Sequence, residues 1–166
     1  MTDKLLNDEV VSQVKDVFAQ MSEHVEVLYF GQKDNCDYCE DTLLLLQEVT
    51  SLSDKLNLAI YDLVDDAETA AQFHVDKAPG LVLVGKDGDQ IVDYGIRYAG
   101  IPSGHEFSSL INDLVLVSGR DSGLDPKTRE YLHGLTESVL LQVYVTPTCP
   151  YCPRAVILAH QMAMES

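Results

Sequence analysis

Two cysteine pairs at C-x-x-C spacing, each set between an apolar run and a helix-like run, constrain this 166-residue chain more than any other feature. In the first, Val27-Leu28-Tyr29-Phe30 leads through residues 31–35 into Cys36-Asp37-Tyr38-Cys39 and then Thr42-Leu43-Leu44-Leu45-Leu46. The β-branched and aromatic residues before the loop mark a buried strand over Val25 to Phe30. The Leu-rich run after Cys39, continuing to Val49 and Leu52, is too long for a strand and reads as a helix, Glu40 to Ser53. The cysteines therefore sit where a helix begins. There, unpaired backbone N–H groups and the positive end of the helix dipole, about half a charge, favour a thiolate over a thiol.

The same pattern recurs near the other end. Leu140 to Val145 runs through Thr146-Pro147-Thr148 into Cys149-Pro150-Tyr151-Cys152, followed by an apolar helix through Ala155, Val156, Ile157, Leu158, Ala159, Met162 and Met164. Self-similarity between 25–46 and 140–162 signals a duplicated module, with the first loop two residues longer. A second reading of paired C-x-x-C motifs is a four-cysteine zinc site in an interaction domain. The pairs of such sites lie about 15–20 residues apart, whereas some 110 residues separate Cys39 from Cys149.

Between the two copies the pattern supplies a complete α/β unit. Val10, Val11, Val14, Val17, Phe18 and Met21 mark an amphipathic first helix, Asp8 to Met21. Leu56 to Leu63 alternates as a second strand, and Asp65-Asp66-Ala67-Glu68 reads as a capped helix start running to about Phe73. Leu81 to Val84 and Gln90 to Tyr94 flank an Asp-Gly turn, a hairpin signal. Ser103 and Glu106 have the spacing of a capping box for a helix through Leu110, Ile111, Leu114 and Leu116. The reading is thus residues 1–118 as one unit, 119–134 as a linker with a short helix over 128–135, and 135–166 as the first strand and helix of an incomplete second unit. A fragment of a longer chain accounts for the early stop, and a shortened gene product is the alternative. A lone strand with an apolar helix leaves backbone groups unpaired, so Leu140 to Val145 is expected to pair with the first unit's sheet or with the same segment of a second copy, giving a homodimer.

Charge narrows the partners. With 27 acidic and 11 basic side chains the formal charge is −16, which argues against nucleic acid or an anionic membrane surface; the acids read as scattered over a solvated surface. The N-terminus does not read as a secretory signal, and no apolar run approaches the ~18 residues of a membrane span. All four cysteines fall in the two pairs, unlike a secreted disulfide scaffold, so the cytoplasm is the expected location.

Strand, C-x-x-C, helix, strand, helix, then Ala78-Pro79 before a hairpin and a last helix resembles the thioredoxin fold. Thr146 to Pro153, containing the Cys-Pro-Tyr-Cys of glutaredoxins, and Arg97 to Phe107 are the most family-like strings, and the chain as a whole looks like the tandem glutaredoxin-like protein disulfide oxidoreductases known mainly from thermophiles. The resemblance implies thiol–disulfide exchange with protein substrates, no cofactor and no metal, an upstream dithiol reductase, and Pro79 in the cis form beside Cys36. No counterpart of that proline faces Cys149.

In this reading Cys36 attacks a substrate disulfide and Cys39 resolves the mixed disulfide, with Cys149 and Cys152 dividing the roles likewise. Two intervening residues allow Cys36–Cys39 and Cys149–Cys152 disulfides without moving either helix. Ala78 and Pro79 would present backbone to a substrate strand, and Tyr38 and Tyr151 would cover the sulfurs or touch substrate. Asp37 beside Cys36 should raise its thiol pKa, leaving the second motif the more acidic, unless Lys33 folds back to offset it. Phe30 and Val143 stand where many thioredoxins carry a buried proton-accepting carboxylate, leaving water or a Glu such as Glu40 for that role. The Gly-Gly that binds glutathione in glutaredoxins is absent around 94–100, which speaks against glutathione as reductant. His24, His74, His105, His133 and His160 show no metal spacing and are expected at surface or half-buried positions. A relay module serving one dedicated partner, such as a peroxidase, is the alternative function.

Overall fold

The computed structural model describes residues 4–166; Met1 to Asp3, part of the N-terminal stretch read above, lie outside them. Four strands, β1 (His24–Gly31), β2 (Leu56–Asp62), β3 (Gly80–Asp87) and β4 (Gln90–Ala99), form one sheet in the order β2-β1-β3-β4. β2 runs parallel to β1, while β3 and β4 continue the sheet antiparallel. Six helices accompany it: α1 (Asp8–Phe18), α2 (Cys39–Thr50), α3 (Ala67–Gln72), α4 (Glu106–Gly119), α5 (Pro126–His133) and α6 (Cys152–Ala163). This is the thioredoxin-like α/β arrangement, and none of these helices is long and apolar enough to cross a membrane.

Strand alternation sorts the core into two layers. Val25, Val27 and Tyr29 of β1 with Leu81 and Leu83 of β3 face α1, α2 and α4, packing on Phe18, Leu46, Val49, Leu110 and Leu114. Leu28 and Phe30 with Val82 and Val84 face the other way, onto Ala70 and Phe73. Because both faces of the central strands are covered, β1 and β3 read as continuous apolar runs. Each fully buried side chain among them contributes roughly 1.5–3 kcal/mol of transfer free energy. The β3–β4 turn places Gly88, at φ 63°, at the first central position of a two-residue hairpin loop, where the strand twist requires positive φ.

Two expected caps are built differently. The Asp66 carboxylate accepts from the backbone N–H of Asp62, 2.8 Å away, so it closes the turn before α3 and does not cap the helix. Glu106 does not reach back in a capping box: only its backbone N–H donates to the Ser103 carbonyl, and its side chain is 4% exposed inside the protein.

The largest departure is Leu140 to Val145. The segment has no regular structure and joins no ladder, so it is not a strand of the sheet, and Leu140 and Tyr144 are 82% and 86% exposed. An isolated segment gains nothing until its N–H and C=O groups are paired, and here a cavity separates it from β4. α6 nonetheless docks firmly, on α4 and β4. Its approach is fixed by Gly104, at φ 61°, whose neighbour His105 donates its N–H to the Pro147 carbonyl at 3.0 Å. A Cβ on Gly104 would lie 2.4 Å from that same carbonyl oxygen. Gly104→Ala is therefore expected to cost about 1–2 kcal/mol from the left-handed backbone alone, with the carbonyl clash added, measured by denaturant unfolding.

Candidate functional site

The first cysteine pair sits at one end of the sheet. β1 and β2 run parallel and end together, with Gly31 opposite Asp62 and the Leu63 N–H donating to the Gly31 carbonyl. The loop leaving β1 carries Cys36 to the start of α2, where its sulfur is bonded to that of Cys39 and the Cα atoms are 5.5 Å apart. Cys36 is half-buried, Cys39 is 6% exposed, and Tyr38 is 58% exposed. Tyr38 is the N-cap and makes no side-chain cap bond, so no N-cap side chain satisfies the first N–H groups of α2. From below, the buried Tyr29 hydroxyl donates to the Cys39 carbonyl at 2.8 Å, holding the helix start against β1.

The Ala78–Pro79 peptide bond is cis, with Ala78 half-buried and Pro79 buried. It immediately precedes β3, whose Gly80 lies opposite Phe30, so this turn and the Cys36 loop emerge at the same end of neighbouring strands. The Pro79 carbonyl is occupied by the Gly100 N–H at 2.8 Å. Lys33 does not fold back over Asp37: it forms an ion pair with Asp65, tying the Cys36 loop to the turn after β2.

The second pair has the same local frame with less around it. Cys149 and Cys152 are bonded at the start of α6, again 5.5 Å apart at Cα, and the Tyr151 N-cap makes no side-chain cap bond. Both cysteines are half-buried and Tyr151 is 78% exposed. No second cis proline occurs among the described residues. Nor do the pairs converge: among the described residues no three His, Cys, Asp or Glu side chains gather as metal ligands, so the four-cysteine zinc arrangement does not form.

No protein-family model matches the chain. The crystal structure of a protein disulfide oxidoreductase from Aeropyrum pernix superposes with a TM-score of 0.87 at 32% identity, covering 96% of this chain and 68% of that one. The chain belongs to the protein disulfide oxidoreductase family. The F component of alkyl hydroperoxide reductase from Pseudomonas aeruginosa is 29% identical over 160 residues, 96% of this chain and 27% of that protein. An NADH dehydrogenase of Bacillus subtilis is 31% identical over 128 residues, 77% of this chain and 22% of its own length. The chain thus spans about a quarter of the length of these curated relatives.

The chain also carries a polar cluster where β4, α4 and α6 meet. Asp113 of α4 is fully buried, and its Oδ2 accepts from the Tyr98 hydroxyl and from His160 Nδ1, each at 2.5 Å, while Oδ1 has no partner. The Tyr98 ring meets His160 edge-on at 5.1 Å. His160 is therefore buried, where a surface or half-buried place was expected. The signal was its spacing: 160 lies four residues after Val156, and 113 lies three after Leu110 and four before Val117, on the apolar face of each helix. Glu106 is buried nearby, with Oε2 accepting from Ser109 and Oε1 unpartnered. Tyr98, Glu106 and His160 line the cavity of about 440 Å³ that β4 and α6 share with Leu140 and Val143.

Burial, then the adjacent Asp113 charge, pushes the Tyr98 phenol well above its ordinary value of 10. A raised pKa in the folded state stabilises the fold below the unfolded value and loses that contribution as pH rises past it. Alkaline titration followed at the tyrosinate absorbance is expected to leave Tyr98 protonated until the chain unfolds, and Tyr98→Phe to remove one late-titrating tyrosine coincident with unfolding.

Proposed function

We propose that the chain is a thiol–disulfide oxidoreductase acting on protein disulfides through Cys36 and Cys39, with Cys149 and Cys152 a second dithiol of the same chemistry. The observation that carries the proposal is the asymmetry of the first pair: at the positive end of α2, Cys36 is half-buried and Cys39 is buried. In the reduced chain, the Cys36 thiolate attacks one sulfur of a substrate disulfide and releases the other substrate sulfur as a thiolate, which takes up a proton. The Cys39 thiol then loses its proton and attacks Cys36, forming the intramolecular disulfide and releasing the second substrate thiol. Two electrons and two protons pass to the substrate. Ala78 and Pro79 supply the backbone against which an extended substrate segment lies, and Tyr38 and Tyr151, both exposed, offer aromatic contact area to it.

The domain plan consistent with this is a complete unit over 1–118, a linker over 119–134 and the opening of a second unit over 135–166, here an unpaired segment and α6, acting in the cytoplasm and recharged by an upstream dithiol reductase. Generic turnover is tested by insulin reduction with dithiothreitol. Catalysis lost on Cys36→Ser supports the proposal; a chain without activity, indifferent to that change, sinks it. The likeness to the F component of an alkyl hydroperoxide reductase favours a second reading, a relay that passes electrons to one dedicated partner such as a peroxidase. In that case insulin is barely reduced while the partner is reduced quickly.

A further inference from the structure

The two redox centres differ sharply in charge, a contrast created by the fold. In sequence the acids near the first pair fall mostly in two separate runs more than twenty residues apart. The parallel ends of β1 and β2 and the start of β3, however, bring three loops to one end of the sheet. With the end of β2 and the first turns of α2 and α3, these loops carry nine carboxylates, four in 34–41, four in 62–68 and Asp76, against two lysines. Both lysines are already engaged, Lys33 with Asp65 and Lys77 with Asp76. All but two of the nine carboxylates are exposed. Hydrogen bonds from the backbone N–H groups of Asp65 and Val64 hold Asp62 below its ordinary value, and a hydrogen bond from Lys77 does the same for Asp76, so both are charged at neutral pH. Around the second pair the balance is reversed: residues 146–158 contain Arg154 and no acid, and the adjoining 100–105 loop adds His105 and no acid.

A half-open disulfide beside a cis-proline turn makes the first end of the sheet a docking face; the surrounding charge selects what docks. We infer that Cys36/Cys39 exchanges with disulfides flanked by basic residues, whereas Cys149/Cys152 takes neutral or acidic partners, so that one chain serves two differently charged partners. The inference rests on the dithiol chemistry proposed above. Its physical basis is steering: a surplus of seven negative charges over three adjoining loops raises the encounter rate of a cationic partner and repels an anionic one, and salt screens both effects.

The test uses the full chain carrying Cys149→Ser/Cys152→Ser, reduced with dithiothreitol and desalted, mixed with either of two peptide disulfides identical except for Lys or Glu flanks. Each turnover converts one peptide disulfide to two thiols and the chain dithiol to a disulfide, so the second-order rate is read without added reductant. The basic peptide is expected to react about tenfold faster near 10 mM salt, the ratio falling toward one near 1 M. Asp34→Asn/Glu68→Gln, at two exposed positions, should cut the low-salt ratio by about half. Equal low-salt rates, or a preference indifferent to salt, overturn the inference. So does an equally strong basic preference in the Cys36→Ser/Cys39→Ser chain, which would assign selectivity to the overall −16 charge. If neither peptide oxidises the dithiol of either chain, the exchange reading itself fails, an outcome distinct from unselective exchange.

Discussion

In a chain already lacking Cys149 and Cys152, Cys36→Ser is expected to lower turnover of protein disulfides by about a thousandfold or more, because a hydroxyl in that place supplies no thiolate nucleophile. Cys39→Ser should fail differently. Cys36 still attacks, but the buried partner that closes the ring is gone, so substrate remains covalently attached and the adduct is visible by mass spectrometry. The difference follows from where the fold puts each sulfur: Cys36 at the rim of the sheet end, Cys39 under the first turn of α2 with its carbonyl held by Tyr29. If both variants lose activity without any trapped adduct, the division of labour between the two thiols is wrong.

Asp113→Ala is expected to be the most damaging single change to stability away from the apolar core. It leaves the Tyr98 hydroxyl and His160 Nδ1 buried without their shared acceptor, and breaking a buried polar pair of this kind costs about 3–5 kcal/mol. At about 2–4 °C per kcal/mol for a domain of this size, the Tm should fall by roughly 6–20 °C. Asp113→Asn keeps an acceptor oxygen and should cost about half as much or less. Because the three residues join β4, α4 and α6, the same loss should loosen α6, read as increased backbone amide exchange at its start beside Cys149. A Tm change within about 2 °C for the alanine variant would show that the cluster contributes little.

Much of the architecture was readable because its causes are local. Alternation at Val25, Val27 and Tyr29 against Leu28 and Phe30 reports two covered faces; the leucines after Cys39 report a helix; the Asp87-Gly88 pair reports a turn that needs positive φ. What was misread turned on tertiary packing or on a competing local partner, neither of which composition reports. Ser103 and Glu106 match a capping box, but packing drew the glutamate inward, next to Ser109. Asp66 matches a helix cap, yet the Asp62 N–H four residues earlier claimed it. Lys33 had two carboxylates within reach, and only the parallel pairing of β1 with β2 places Asp65 in front of it. His160 read as a surface or half-buried histidine, but Asp113, 47 positions earlier, supplied a buried acceptor. Leu140 to Val145 has strand composition without a neighbour, and composition cannot supply a ladder. Eight of the nine carboxylates around Cys36 lie in two runs, 34–41 and 62–68, which become neighbours only after β1, β2 and β3 come together.

The most direct test is native-state mapping of thiol labelling during a reductant titration. The folded chain is equilibrated in buffers of graded dithiothreitol ratio, quenched with an alkylating reagent, and each cysteine read by mass spectrometry. The account predicts that Cys36 and Cys39 open and close together as a reversible two-electron couple while the chain stays folded, with Cys36 labelled well before Cys39. A Cys36–Cys39 bond that resists reduction until the fold is lost, or a Cys39 that labels ahead of Cys36, would contradict it.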